Sequence, residues 1–203
     1  MPRELTFERV FASPSLAGQM PRAVKLSPDG QWLTVLRSRA EDKDRYDLWG
    51  YERETGEWRT LVDSEKVGSG RELSEAEKMQ RERQRIGKLK GIVAYDWAPD
   101  GSAILVPLDG DLYLASLNGE VKRLTNTAEG ELNPTLSETG RYLSFVRDGR
   151  VFVGMVGSGD ARPITPTEAS DTVNWGVAEF VSQEEFDRIK GLWWSPGDRR
   201  LAI

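Results

Sequence analysis

Histidine and cysteine are both missing from these 203 residues. Without histidine, no Ser-His-Asp triad, Cys-His dyad or His-ligated zinc can be built from this chain alone. Without cysteine there are no disulfides and no thiolate metal sites; a carboxylate-only or Lys-based site stays open, and neither a metal nor a cofactor is expected. Positive charge is also scarce: 28 Lys and Arg stand against 33 Asp and Glu, a formal net charge of −5. Phosphates need a basic face, so nucleic acid is not an expected partner. No polybasic run suggests an anionic membrane, and no apolar run is long enough to span one. The opening Met1-Pro-Arg-Glu-Leu-Thr-Phe-Glu8 lacks the apolar stretch of a secretory signal. What remains is an ordinary soluble composition, 38% hydrophobic and 30% charged, with material for a sizeable core.

The chain is organised as a repeat. A turn word recurs at Ser27-Pro-Asp-Gly30, Ala98-Pro-Asp-Gly101, Ser137-Glu-Thr-Gly140 and Ser195-Pro-Gly-Asp198, each preceded by a large apolar residue: Leu26, Trp97, Leu136 and Trp194. Proline presets the first turn dihedral and glycine supplies the positive φ, so the word is a tight turn with a mechanism. A strand-like run follows each word: Trp32–Leu36, Ala103–Val106, Tyr142–Val146 and Leu201–Ile203. Second strands are expected at Asp47–Tyr51, Asp111–Ala115 and Arg150–Val153, and third strands at Glu57–Leu61, Glu120–Thr125 and Ala161–Thr165. Four short strands per unit, repeated, describe a β-propeller blade, and the uninterrupted spacing from Ala98 to Ser137 is 39 residues. The expected fold is all-β: about three and a half four-stranded blades of an incomplete ring, over residues 1–203.

Two insertions interrupt the repeat. In the first, Ser74 and Glu77 form a capping box, so a helix should start at Glu75. The helical insertion is expected over about 74–90, weakened at Gly87 and stopped at Gly91. Its apolar positions (Met79, Ile86 and Leu89) are sparse, so the helix should project from the body or pack on a partner. The second insertion carries the adjacent Glu184 and Glu185 on a short helix expected within about 177–190. Side-by-side carboxylates repel unless a cation neutralises them, and a peptide's free N-terminus is such a cation. Without context, the same pair reads as a solvated helix face with Arg188 as an i,i+4 partner of Glu184.

The surrounding words resemble one family. Val177-Ala-Glu-Phe-Val-Ser-Gln-Glu-Glu-Phe-Asp-Arg188 and Trp193-Trp-Ser-Pro196 are its most specific segments. Leu5-Thr-Phe-Glu8, Ser13-Pro-Ser-Leu-Ala-Gly18, Leu61-Val-Asp-Ser64, Leu73-Ser-Glu-Ala-Glu-Lys78, Arg81-Glu-Arg-Gln-Arg85 and Gly91-Ile-Val93 extend the likeness along the chain. The chain resembles the N-terminal part of a bacterial dipeptidyl peptidase IV, of the prolyl oligopeptidase family. That resemblance implies an eight-bladed propeller capping an α/β-hydrolase domain, which is expected to be absent here together with the catalytic triad. It implies a serine exopeptidase, an aminopeptidase-like enzyme that releases X-Pro and X-Ala dipeptides. By the same resemblance, Glu184 and Glu185 bind the substrate amine and Arg85 binds the carbonyl of the penultimate residue, with Arg81 and Arg83 as substitutes. This fragment alone would be inactive. Implied partners are peptide N-termini, the missing hydrolase domain and a second copy of the protein in a homodimer, and the implied location is periplasmic or secreted. The alternative reading is a non-enzymatic propeller of the TolB or WD40 kind that binds peptides or proteins.

Overall fold

In the computed structural model, which describes residues 5–12, 16, 20–166 and 173–203, the repeat takes the form of consecutive antiparallel meanders. The family-like segment at Ser13–Gly18 lies almost wholly outside the described residues. A short helix α1 (Phe7–Phe11) precedes the first blade: β1 (Arg22–Leu26), β2 (Trp32–Ser38), β3 (Arg45–Glu52) and β4 (Glu57–Val62). The first insertion holds α2 (Ser64–Val67), α3 (Glu75–Arg83) and β5 (Lys90–Gly91), the last pairing in parallel with the start of β3. The second blade is β6 (Asp96–Trp97), β7 (Ala103–Leu108), β8 (Asp111–Ser116) and β9 (Val121–Arg123). The third is β10 (Leu132–Leu136), β11 (Tyr142–Arg147), β12 (Arg150–Met155) and β13 (Arg162–Pro163). The second insertion is a hairpin, β14 (Gly176–Val177) and β15 (Lys190–Gly191), with α4 (Phe180–Glu185) between its strands. A final pair, β16 (Trp193–Trp194) and β17 (Leu201–Ala202), starts a fourth unit.

The four turn words fold alike. In each, the first residue's N–H donates across the turn to the start of the next strand: Ser27 to Trp32, Ala98 to Ala103, Ser137 to Tyr142 and Ser195 to Arg200. The fourth residue's N–H then donates back to the first: Gly30, Gly101, Gly140 and Asp198. Where the residue before the word is a tryptophan, it has a job that the pattern alone leaves open. Trp97 of the second blade donates its indole N–H to Thr34 of the first at 3.0 Å. Trp194 of the fourth unit donates to Ser144 of the third blade, also at 3.0 Å. Each indole thus fastens one blade to the preceding one, satisfying a polar group that burial would otherwise strand.

The core is divided among the seams between blades. Ile104 and Val106 face the first blade, in a cluster with Leu36, Leu48, Val62 and Ile92. Leu105, the residue between them, faces the third blade with Leu112, Leu143 and Phe145. Because side chains alternate across a strand, a strand covered on both faces is apolar at every position. Val146, Val151 and Leu192 begin a third seam toward the fourth unit. The fold is a partial β-propeller.

Both helical insertions are shorter than the sequence pattern suggests. The capping box forms as expected, with Ser74 and Glu77 satisfying one another's backbone N–H groups. The helix then ends at Arg83 rather than running on toward Lys90. Arg85 takes a left-handed φ of 57°, its N–H donating to Glu82 and that of Ile86 to Arg81. That is a Schellman ending with arginine where glycine is usual. Nor does α3 project: Glu77 is buried on it, and Gly130, in the loop before the third blade, leaves the space that the Glu77 carboxylate fills. In the second insertion, only the six residues of α4 are helical, because the flanking segments pair as β14 and β15.

Candidate functional site

The α4 hairpin is built from the third seam outward. Gly176 at its foot has a φ of 75°, and an added Cβ would lie 2.7 Å from Val146 and from Val151, so only glycine lets the backbone approach this closely. From there the chain enters α4 through Glu179, whose carboxylate accepts the N–H groups of Val181 (2.8 Å) and Ser182 (2.7 Å) and the Ser182 hydroxyl. The Ser182 hydroxyl, and then these N–H groups, hold the Glu179 carboxyl below its ordinary pKa. A depressed carboxylate stabilises the fold above its unfolded pKa. The stabilisation is lost as pH falls through the folded value, so the cap is secure at neutral pH and loosens only in acid. On the inner side, Gln183 is buried and donates to the Ala178 carbonyl at 2.6 Å.

Glu184 and Glu185 occupy the last turn of this helix, Glu184 half-buried and Glu185 exposed. Among the described residues, no ion pair reaches either carboxylate. In particular, Arg188 does not pair with Glu184. Its guanidinium donates to the Ser182 hydroxyl at 2.8 Å and its N–H to the Ser182 carbonyl, because Asp187, with a φ of 51°, turns the chain back at the helix end. Among the described residues the pair is therefore two adjacent carboxylates without an ion-pair partner, an arrangement that favours an incoming cation.

The three arginines of the first insertion are not equivalent. Arg81 is spent on structure: it donates to the Leu89 carbonyl at 3.0 Å, and burial pulls its pKa below the ordinary guanidinium value. Arg83 lies over the Phe180 ring, 5.3 Å from its centroid, which joins α3 to α4. Arg85 is exposed, with no hydrogen bond or ion pair of its side chain among the described residues. Among the described residues, no hydrogen bond or ion pair joins Arg85 to either glutamate. What the structure brings together is α3 and the α4 hairpin, which border a cleft of about 130 Å³ whose lining includes Arg81, Gln84, Asn133, Ile189 and Lys190.

Trp193 and Trp194 follow the hairpin; the Trp193 side chain is exposed, and that of Trp194 serves the propeller. Trp194 stacks on Tyr142 at 6.0 Å in addition to its bond to Ser144. Among the described residues, no cluster of carboxylates could hold a metal ion, and no helix is long and apolar enough to cross a membrane. Two residues that the pattern of the sequence does not single out organise the site: Glu179, the cap of α4, and Asn133, whose amide donates to Gly176 in β14 and to Ile189 just before β15.

Comparison with known proteins bears on these features. Residues 118–203 match the family described as the dipeptidyl peptidase IV (DPP IV) N-terminal region. The chain is 29% identical to dipeptidyl peptidase 8 of Mus musculus over 148 residues, 63% of its own length. It is 27% identical to dipeptidyl peptidase 8 of Homo sapiens over 144 residues, 61% of its length. Each match spans only 16% of the relative. In fold, the chain is similar to the crystal structure of Porphyromonas gingivalis dipeptidyl peptidase 4, with a TM-score of 0.57 at 21% identity, over 91% of this chain and 24% of that one. The chain is thus similar, in residues 118–203 and in fold, to the N-terminal propeller region of dipeptidyl peptidase IV-like proteins.

Proposed function

We propose that this propeller segment is the substrate-recognition part of a serine exopeptidase that releases N-terminal X-Pro and X-Ala dipeptides from peptides. In this reading Glu184 and Glu185 bind the free ammonium of the substrate, and Arg85 donates to the carbonyl of its penultimate residue. The observation that carries it is the glutamate pair at the end of α4, which no ion pair among the described residues compensates, on a hairpin packed beside α3, the helix that Arg85 follows. An ammonium anchored at a fixed point makes the site a ruler. Two extended residues span about 7 Å, so a nucleophile set that far away cuts after the second residue. Each ammonium–carboxylate contact at about 4 Å contributes roughly 1 kcal/mol in water and about 4 at an intermediate dielectric. A blocked N-terminus would leave both carboxylates unpaired and would be rejected. The nucleophile and its histidine would come from a hydrolase domain, since these 203 residues contain no histidine. By the same reading, the protein works in the periplasm or outside the cell, and a homodimer is its expected assembly.

The test is catalytic complementation. The isolated chain is expected to release nothing from a Gly-Pro chromogenic amide, while a protein carrying this chain with its hydrolase domain should cleave it and ignore the N-acetylated analogue. Phosphonate-sensitive release by the repurified isolated chain would overturn the division of labour. Equal cleavage of the acetylated analogue by the complete protein would overturn the amine site.

Arg85 offers a second test, in which stability and activity move in opposite directions. A non-glycine residue in the left-handed region is strained by roughly 1–2 kcal/mol, so Arg85→Gly should stabilise the fold by about 0.5–1 kcal/mol. The same change removes a charge-assisted hydrogen bond to substrate, which should lower kcat/KM by about 1.5–3 kcal/mol. Urea unfolding and dipeptide-amide kinetics measure the two effects. A variant both more stable and fully active would leave Arg85 without a role in binding.

A further inference from the structure

We propose that Asn133 is a positioning residue for peptide recognition, tying both arms of the hairpin that carries Glu184 and Glu185 to α3, the helix that precedes Arg85. The inference rests on the reading of those three residues given above. Asn133 is buried at 3% exposure in β10, with a φ of 52°, at a bulge where the pairing of β10 with β11 shifts between Leu132 and Thr135. Asparagine tolerates this left-handed backbone better than most residues. Its Nδ2 donates to the Gly176 carbonyl at 3.1 Å and to the Ile189 carbonyl at 3.0 Å, one on each side of the hairpin. Its Oδ1 accepts from Gln80 Nε2 at 3.1 Å, and Gln80 lies on α3, five positions before Arg85.

The amide orientations are fixed by chemistry. Two carbonyls face one end of the Asn133 side chain, so that end must be the NH2 group. Its oxygen therefore points at Gln80, which must present its own NH2. Gln80 Oε1 is then left buried without a partner among the described residues. The bulge alone does not call for an asparagine. At the matching irregularity of the first blade, between Arg22 and Lys25, Ala23 adopts a φ of 49° with no side chain to donate. What the asparagine adds is a three-way link among the third blade, the hairpin and α3. The separation of the glutamate pair from Arg85 must match that of a peptide's ammonium from its penultimate carbonyl, and this link spans the two elements whose spacing sets it.

Geometry and catalysis can be read separately. The absence of cysteine from these 203 residues lets spin labels be attached at Cys introduced for Lys88 and Phe186, reporting on the segment that follows α3 against the hairpin. A second pair, at Ser102 and Glu138, reports on the blades. Asn133→Gly keeps the left-handed backbone and removes the amide, and Gln80→Ala cuts the same link from the other side. The distance distribution between 88 and 186 is expected to broaden in both variants while that between 102 and 138 stays narrow. In the complete protein, Asn133→Gly should raise KM for a Gly-Pro amide by about tenfold or more, as misplacing a binding group does. Phosphonate inactivation should hold within about twofold, because the serine is untouched. An 88–186 distribution as narrow as wild type in both variants would overturn the proposal, as would equal broadening of the blade pair. Broadening without a KM change, in a protein where Glu184→Gln is also silent, would uphold the link and overturn the amine site instead.

Discussion

Replacing Glu184 or Glu185 by glutamine in a protein that carries this chain and its hydrolase domain should cut kcat/KM for Gly-Pro and Ala-Pro amides by roughly a hundredfold or more. Glutamine keeps the size and hydrogen-bonding reach of the side chain and removes the charge that an ammonium needs. A hundredfold corresponds to about 2.7 kcal/mol, within reach of one charged contact in a water-poor site. Neither substitution should unfold the hairpin. The bonds that hold α4, from the Val181 and Ser182 N–H groups to the Glu179 carboxylate, from Gln183 to the Ala178 carbonyl and from Arg188 to Ser182, use neither side chain. The comparison to make is kcat/KM for the dipeptide amide against the rate of phosphonate inactivation, which does not need the amine site. Wild-type rates in both assays would return the pair to the status of a solvated helix end.

The propeller was legible because its signals are local. A Ser-Pro-Asp-Gly turn is specified by the φ preferences of proline and glycine at fixed offsets, and the same two hydrogen bonds recur at all four words, including the degenerate Ser137-Glu-Thr-Gly140. The start of α3 was legible for the same reason, since both halves of its capping box lie within four residues. Its end was not. The usual marker of a helix C-terminus is glycine, and Gly87 and Gly91 point past the true stop. Arg85 takes the left-handed position there without the residue type that announces it. Glu179 escaped because helix caps are read from Ser, Thr, Asp and Asn. In the site, the glutamate pair could be seen because the two residues adjoin in sequence. Asn133 could not be, since its partners lie 43, 53 and 56 positions away and only the folded third blade brings them within reach.

Glu131→Ala should destabilise the isolated chain by about 3–5 kcal/mol, the cost of stranding one member of a buried ion pair. The Glu131 side chain is fully buried and that of Arg147 only 17% exposed. One carboxylate oxygen accepts from Arg147 Nε (3.1 Å), Arg147 Nη2 (2.7 Å) and the Thr127 hydroxyl (2.6 Å). The other accepts the Thr125 hydroxyl at 2.8 Å. Those threonines leave the second blade, and Glu131 and Arg147 belong to the third, so one carboxylate closes the seam between them. Alanine would leave a guanidinium and two hydroxyls buried around a void. Glu131→Gln keeps the hydroxyl bonds and should cost less, about 1.5–3 kcal/mol. Adding Arg147→Met to a Glu131→Leu chain should recover most of the loss, because a well-packed apolar pair avoids the desolvation that the ions suffer. Lys25–Asp96, by contrast, is an exposed pair, and Lys25→Ala should shift the unfolding midpoint by no more than roughly 1 kcal/mol. Urea unfolding followed by tryptophan fluorescence ranks the variants. A Glu131→Ala chain as stable as Lys25→Ala would mean that the apolar seam of Leu105, Leu112, Leu143 and Phe145 holds the blades without the carboxylate. The expected order has a consequence beyond stability. Leu132 and Asn133 follow Glu131 directly, so loosening this seam should also loosen the bulge from which Asn133 grips the glutamate hairpin.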